Sequence, residues 1–313
     1  MTVRYLRTPT PPEPARRAVG ELELASRLTD RDRDVLRMLW DHRVLTTPQI
    51  ARLGYGSDSR ARHRMLALAR YGAVERFRPV TPIGTLPLHF LIGKAGALVL
   101  AAEADQTLSE FGYRRERVIA TAYSSQLSHL VGVNDLFTRL IATARTTTGA
   151  ALATWWPEHR CARTWGAFVR PDAYGQWTQI DENGTERVCD WFLEYDTGTE
   201  TLARVIAKLD RYADLAAATA ITTPVLIRTS TPTREANLHR RLRGAPVPVA
   251  TTTVSGPYEH ASPADAIWLP AACRTRLRLI DLAHFSGPIA PPDRTDDELD
   301  REDIEGDGRD EPS

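Results

Sequence analysis

The chain has 313 residues, of which 42% are hydrophobic and 26% charged, a composition typical of a globular protein with two domains. No apolar run approaches the roughly 20 residues of a membrane span, and the first 20 residues contain four prolines where a secretion signal would have an apolar segment. Cys161, Cys189 and Cys273 lie far apart, without the spacing of a metal site or the even number of a disulfide set. These features predict a cytoplasmic protein with reduced cysteines.

The formal net charge is zero, but the charges are unevenly distributed. Residues 293–311 contain eleven acidic residues and three arginines, a net charge of −8, so the rest of the chain carries +8. A segment so charged and so poor in apolar side chains cannot bury enough surface to fold. We therefore predict a disordered acidic tail over residues 287–313.

The N-terminal part is predicted to contain a flexible leader over residues 1–28, followed by three helices and a hairpin over residues 29–97. Side chains that cap helices, a proline suited to the first turn and a terminal glycine delimit the three helices. These signals are Thr29 with Asp32, Thr47 before Pro48, Ser57, and Gly72.

The third helix has two distinct faces when its residues are placed at 100° intervals. Ala61, Met65 and Leu68 share the face that would pack on the other two helices. The opposite face consists of Arg60, His63, Ala67 and Arg70, with Arg64 at its edge. In the hairpin that follows, the residues placed to contact DNA phosphates are Arg76, Arg78 and His89.

This succession of elements resembles the winged helix-turn-helix family, in which the third helix enters the major groove of double-stranded DNA. The resemblance implies DNA binding through the basic face and the hairpin. Two alternatives stay open: a three-helix domain with an ordinary solvated arginine face, and a winged helix that docks only on proteins.

A linker is predicted over residues 98–122 and an α/β domain over residues 123–286. Helices are expected over residues 124–146, 199–218 and 234–243, and strands over residues 151–156, 166–171, 187–195, 224–228 and 247–254. This order resembles the core of the PD-(D/E)xK nuclease superfamily. The predicted fold class is thus α+β, with a winged helix-turn-helix followed by a nuclease-like α/β domain.

The resemblance to these nucleases depends on carboxylates at the ends of two strands. Asp172 follows Arg170-Pro171 at the end of the predicted strand over residues 166–171, and Glu194 and Asp196 share one face at the end of the next. In such enzymes two carboxylates hold Mg²⁺ and a lysine supports the nucleophile. Asp172 and Glu194 are the candidate metal ligands.

The lysine of this motif is not in its usual place, because Asp196 stands two residues after Glu194. Lys208 on the following helix can replace it, as in some relatives, so Asp172, Glu194, Asp196 and Lys208 are the candidate catalytic residues. The alternative is structural: Asp172 ends a turn, Asp196 caps the helix, and Lys208 is a solvated flank.

The helix over residues 124–146 places Asn134 in the middle of an apolar face. A buried amide needs hydrogen-bond partners, which predicts a bond to backbone, with a position beside the acidic residues as the alternative. His129 falls on the opposite side and is expected at the surface or at an interface.

Taken together, residues 28–230 resemble the bacterial replication-relaxation family. The matching segments are Leu28-Thr29-Asp30-Arg31-Asp32, His129-Leu130-Val131-Gly132-Val133-Asn134-Asp135, Arg170-Pro171-Asp172, and Glu194-Tyr195-Asp196-Thr197-Gly198-Thr199-Glu200 with Lys208 and Tyr212. The resemblance implies a role in plasmid or mobile-element replication and DNA topology, and it does not imply an enzymatic activity.

The sequence thus favours a DNA-binding protein of replication, DNA relaxation or transfer that acts without catalysis. Its expected partners are double-stranded DNA, other replication or transfer proteins, and a second copy in a homodimer. A Mg²⁺-dependent nuclease and a dimeric winged-helix transcription regulator are the alternatives. The acidic tail is expected either to compete with DNA for the basic part of the chain or to serve only as a solubilising end.

Overall fold

A computed structural model describes residues 21–80, 84–271 and 273–285. It has a mixed α+β architecture with a three-stranded and a six-stranded sheet, each packed against helices. The predicted tail over residues 287–313 and the first 20 residues of the predicted leader lie outside the described residues. No helix in the described part of the chain has both the length and the apolar composition to cross a bilayer.

Among the described residues, the first unit contains five α-helices, one π-helical segment over Ala51–Tyr55 and three short strands. The helices are α1 Glu21–Arg27, α2 Asp30–His42, α3 Thr47–Ile50, α4 Asp58–Arg70 and α5 Lys94–Glu103. The strands are β1 Leu45–Thr46, β2 Val74–Phe77 and β3 His89–Ile92, which pair antiparallel in the order β1-β3-β2. The three helices and the hairpin expected from the sequence are therefore present.

Local capping explains where the helices of this unit begin. The Thr29 side chain accepts from the Asp32 backbone N–H, and Asp32 returns a bond to the Thr29 N–H, which satisfies donors that a helix start leaves free. Helix α3 begins with the same capping arrangement, one residue earlier than expected. Its cap is Thr46, paired with Gln49, and not Thr47.

Helix α4 has the predicted inward face. Ala61, Met65 and Leu68 are buried in the core of the first unit. Ser57 caps its start, and Gly72 adopts a φ of 72° just beyond its end, a conformation that suits glycine.

The predicted leader and linker differ from the structure at their inner ends. Residues 21–27 of the leader form α1, and Leu24 is buried in the core. The predicted linker begins inside α5, because the apolar face of that helix continues to Ala101. A further helix, α6 Arg115–Tyr123, occupies the end of the linker.

The second unit is built around the six-stranded sheet. Its α-helices are α7 Leu127–Ala144, α8 Glu158–Trp165, α9 Leu202–Thr219 and α10 Pro232–Arg241, and short 3-10 helices cover Gly256–Tyr258 and Leu279–Phe285. Its strands are β4 Ala150–Pro157, β5 Ala173–Ile180, β6 Glu186–Asp196, β7 Val225–Thr229, β8 Val249–Thr253 and β9 Leu269–Pro270. Strands β4, β5 and β6 are antiparallel, β6, β7 and β8 are parallel, and β9 is antiparallel to β8.

The predicted strand over residues 166–171 is wrong. Helix α8 runs up to Trp165, which is buried together with Cys161, and the chain enters a strand only at Ala173. The physical reason is local: the backbone N–H groups of Phe168 and Val169 donate to the Trp165 oxygen, so the chain forms a turn after α8 and these donors are not free to pair with a strand. The other predicted helices and strands of this unit are present, with ends shifted by a few residues.

Helix α7 joins the two units. Asn134 donates to the backbone oxygens of His42 at 3.2 Å and Val44 at 2.6 Å, which confirms the expected structural bond to backbone. Arg52 of the first unit donates to Asp135 at 2.6 Å. The amide and the carboxylate of α7 therefore serve as polar contacts across the junction, where unpaired buried groups would be costly.

Candidate functional site

The register of the sheet brings two acidic residues side by side. Strands β5 and β6 are antiparallel, with Ala173 opposite Leu193, and the Asp172 backbone N–H donates to the Leu193 oxygen at 3.1 Å. Asp172 therefore lies beside Glu194. It precedes a strand instead of ending one, and the antiparallel pairing accounts for its position, because the start of β5 meets the end of β6.

Glu194 is buried, and its carboxylate accepts hydrogen bonds from two side chains of α9. The Lys208 ammonium donates to one carboxylate oxygen at 2.5 Å, and the Tyr212 hydroxyl donates to the other. Lys208 and Tyr212 are four residues apart, so they lie on the same face of the helix. Lys208 thus reaches the acidic residues, as the sequence predicts.

Burial and the negative charge of Asp172 raise the pKa of Glu194 to about 7, although Lys208 and Tyr212 favour its ionised form. Burial would lower the pKa of Lys208, but the two carboxylates beside it raise it. The ammonium is therefore kept charged by its neighbours.

Asp172 contacts His129, a residue that the sequence predicts at a surface or interface. His129 Nε2 lies 3.2 Å from Asp172 Oδ2, and the Tyr195 backbone N–H donates to the same oxygen at 2.7 Å. Burial would raise the pKa of Asp172, but these bonds and the nearby positive charges lower it. Asp172 in turn raises the pKa of His129 against the effect of burial. The available signal for His129 was its place in the family-like segment over residues 129–135.

Asp196 has a separate partner. Arg234 of α10 donates to both of its oxygens, with the Nη2–Oδ1 distance at 2.8 Å, and the Gly198 N–H donates to Oδ1 at 2.9 Å. Asp196 is therefore neutralised by an arginine and does not share the partners of Glu194.

The four predicted catalytic residues nevertheless line one cleft of about 480 Å³. The N-terminal end of α7 forms one wall, α9 forms another, and the loop after β6 closes the rim. Charged and hydrogen-bonding side chains around it are Ser125, Gln126, Ser128, His129, Glu158, Asp172, Glu194, Tyr195, Asp196, Thr197, Thr199, Glu200, Lys208 and Tyr212. Acidic groups outnumber basic ones, which disfavours direct entry of a DNA phosphate.

The side chains as placed do not fit a Mg²⁺ ion. This cation takes about six oxygen ligands in octahedral geometry, whereas both oxygens of Glu194 and Oδ2 of Asp172 already accept bonds from protein donors. Across the part of the chain that the structure describes, no group of three or more His, Cys, Asp or Glu side chains could hold a metal ion. The cluster consists of two carboxylates with Lys208 and His129 as internal partners.

A second candidate surface lies on the first unit. Arg60, His63 and Arg70 of α4 are exposed on the side opposite the core, and Ala67 lies half-buried between them. In the hairpin, Arg78 is exposed and Arg76 half-buried. This set forms the basic face.

Two residues predicted to contact DNA are used otherwise. Arg64 donates from Nη2 to Asp32 Oδ2 at 2.6 Å and from Nε to Asp32 Oδ1 at 2.9 Å. His89 is 1% exposed, and burial lowers its pKa to about 4, so it is neutral and inaccessible to a phosphate. Arg64 is thus a structural partner of a buried carboxylate, and His89 belongs to the interior.

Neither a comparison with curated proteins nor one with solved structures gives a match. A family model described as replication-relaxation matches residues 36–226, more than half of the chain. The match runs from α2 to β7 and includes the basic face, helix α7 and the cleft. The chain belongs to the replication-relaxation family.

Proposed function

We propose that this protein binds double-stranded DNA through its first unit and acts in the replication, relaxation or transfer of plasmids or other mobile elements, without catalysing a reaction on DNA. The observation that carries the proposal is the basic face of α4, with Arg60, His63 and Arg70 exposed on a helix whose other side is anchored in a core. A rigid helix with exposed arginines suits the major groove, where arginine pairs with guanine and with phosphate.

The order of elements around this helix supports the same proposal. Strand β1 lies between α2 and α3, and β2 and β3 follow α4 as a hairpin, as in winged helix-turn-helix modules. Arg76 is half-buried and Arg78 exposed at the end of β2, which supports a contact between the hairpin and the phosphate backbone. The family membership supports the role in replication or relaxation of mobile elements.

The test is a DNA-binding titration with the full chain. Arg60→Ala and Arg70→Ala should each weaken binding by about 1–3 kcal/mol where the arginine contacts a base, and the affinity of the unsubstituted chain should fall steeply with salt. Arg211→Ala, at an exposed position of α9, is the matched control and should bind normally. Binding that is unaffected by both substitutions on α4, or by salt, contradicts the proposal.

A second candidate function is Mg²⁺-dependent cleavage of DNA. It is favoured by one observation: Asp172, Glu194 and Lys208 meet in one cleft. The elements around the cleft follow the PD-(D/E)xK order except that α8 is inserted between β4 and β5. The engagement of both carboxylates by protein donors argues against it. An assay of plasmid nicking with Mg²⁺ or Mn²⁺ decides between the two, since cleavage that Asp172→Ala abolishes would replace the non-catalytic proposal.

A further inference from the structure

An apolar groove of about 650 Å³ lies at the edge of the second unit, away from the acidic cleft. Its walls come from the end of α10, the segment leading into β8, and the residues around β9. The side chains that define it are Leu242, Val247, Val249, Pro270, Ala271 and Leu282. A concave apolar surface of this size suits a short extended peptide.

The groove has a basic rim. Arg240, Arg241 and Arg243 are exposed, and they flank Leu242, which lines the groove. Arg243 itself belongs to the lining. We call these three arginines the basic rim: Arg243 lies in the groove wall, and the other two lie directly before Leu242 in the chain. An apolar floor with positive charge beside it suits an apolar peptide followed by acidic residues.

The chain contains such a sequence directly beyond the described residues. Residues 286–292 read Ser-Gly-Pro-Ile-Ala-Pro-Pro, and residues 293–311 carry eleven acidic residues and three arginines. The described chain ends at residue 285, only three residues after Leu282 of the groove wall. At roughly 3.3–3.6 Å per residue, seven residues span up to about 25 Å, enough to follow a groove of this volume.

We propose that the groove binds the chain's own C-terminal segment, with residues 286–292 against the apolar floor and the following acidic residues against the basic rim. Prolines restrict the backbone before binding, so ordering such a segment costs less conformational entropy. The linkage to Leu282 supplies an effective concentration in the millimolar range, so a weak contact suffices.

The test uses the full chain and a labelled peptide of residues 286–311 in an anisotropy titration. Ile289→Asp places a charge in the apolar part of the segment and should vacate the groove, so this variant should bind the peptide at least ten-fold more tightly than the unsubstituted chain. Ile304→Asp makes the same chemical change within the acidic part and is the matched control, which should behave like the unsubstituted chain.

Two further measurements localise the site. Changing Arg240, Arg241 and Arg243 to Glu in the Ile289→Asp chain should weaken peptide binding at least ten-fold, and hydrogen exchange of residues 242–250 should be faster in Ile289→Asp than in the control. Peptide that fails to bind the Ile289→Asp chain, or that binds the unsubstituted chain equally well, overturns the proposal.

A dimer that dissociates on Ile289→Asp, measured by light scattering, also overturns the proposal, because the occupant would then come from a second copy. No DNA is present in these assays, so their outcome is independent of the DNA-binding proposal.

Discussion

Replacing Arg64 by Ala distinguishes a stabilising role of this arginine from the DNA-binding role that the sequence predicts for it. Arg64 lies on α4 beside the basic face, yet its guanidinium forms two bonds to Asp32, whose side chain is 1% exposed. The Arg64→Ala protein should therefore be destabilised by the loss of a buried ion pair. Arg60→Ala, at an exposed position one turn earlier, should leave stability unchanged.

The size of the expected loss in stability depends on the hydrogen bonds that Asp32 retains in the Arg64→Ala protein. Removing one partner of a buried ion pair costs about 3–5 kcal/mol, but Arg64 is one third exposed and Asp32 retains bonds from Thr29 and the Tyr55 hydroxyl. We therefore expect a loss of about 2 kcal/mol in the free energy of unfolding at pH 7.

The pH dependence provides an independent check on this value. Burial would raise the pKa of Asp32, but Arg64, Thr29 and Tyr55 together lower it from 3.8 to about 2. A lowered pKa in the folded state means that the stabilisation is present above pH 3.8 and is lost as the pH falls through about 2. The net shift, after the opposing effect of burial, corresponds to about 2–3 kcal/mol. The difference between Arg64→Ala and the unsubstituted chain should thus shrink as the pH falls from 4 to 2.

Urea unfolding followed by circular dichroism measures both effects, with Arg60→Ala as the control at each pH. Equal stability of Arg64→Ala and the unsubstituted chain at pH 7 would refute the assignment of Arg64 as a structural partner. A difference that stays constant down to pH 2 would show that the lost stability comes from packing and not from the charge of Asp32.

Three further predictions concern helix α7 and the cleft. The pKa of Glu194 is raised from 4.5 to about 7, so folding stability is lost as the pH rises and this carboxyl ionises. Relative to Glu194→Gln, the free energy of unfolding of the unsubstituted chain should fall by on the order of 3 kcal/mol between pH 5 and pH 8. Urea titrations at several pH values would detect this difference. Gly132→Ala should lower the melting temperature, because a Cβ there would lie 2.1 Å from Cζ of Tyr195; such overpacking typically costs about 1–3 kcal/mol, and an unchanged melting temperature would contradict this packing. Asn134→Leu should cost a similar amount in calorimetry, since it leaves the Val44 oxygen without this donor.

The elements that the sequence predicts well are those specified by near neighbours. The start of α2 follows from Thr29 and Asp32, three residues apart, and the inward face of α4 from Ala61 and Met65, one turn apart. The strand expected over residues 166–171 fails for the complementary reason. Its apolar residues follow α8 in a turn that bonds back to the end of that helix, and the packing of α8 against the sheet, not the local spacing of apolar residues, decides where this turn lies.

Within the candidate site, the residue types and one contact were predictable and the network was not. Lys208 reaches Glu194 because Glu194 ends a strand and Lys208 lies on the helix that follows it. His129 was missed as a partner of Asp172, because the two residues belong to elements separated by β4 and α8. Nothing in local periodicity tells which side of α7 faces a particular strand end.

The sequence by itself determined helices α2, α3, α4, α7, α9 and α10, the caps of α2 and α4, most of the strands, the basic residues of α4, and the family to which the chain belongs. Those features depend on residues a few positions apart, where backbone geometry alone fixes which side chains meet. The tertiary structure alone decided that Arg64 holds Asp32, that His129 holds Asp172, and that both oxygens of Glu194 accept bonds from α9. The partners in these contacts are 14 to 43 positions apart. Such pairs form only after the sheet register and the helix docking are set, because burial then forces each carboxylate to find a donor.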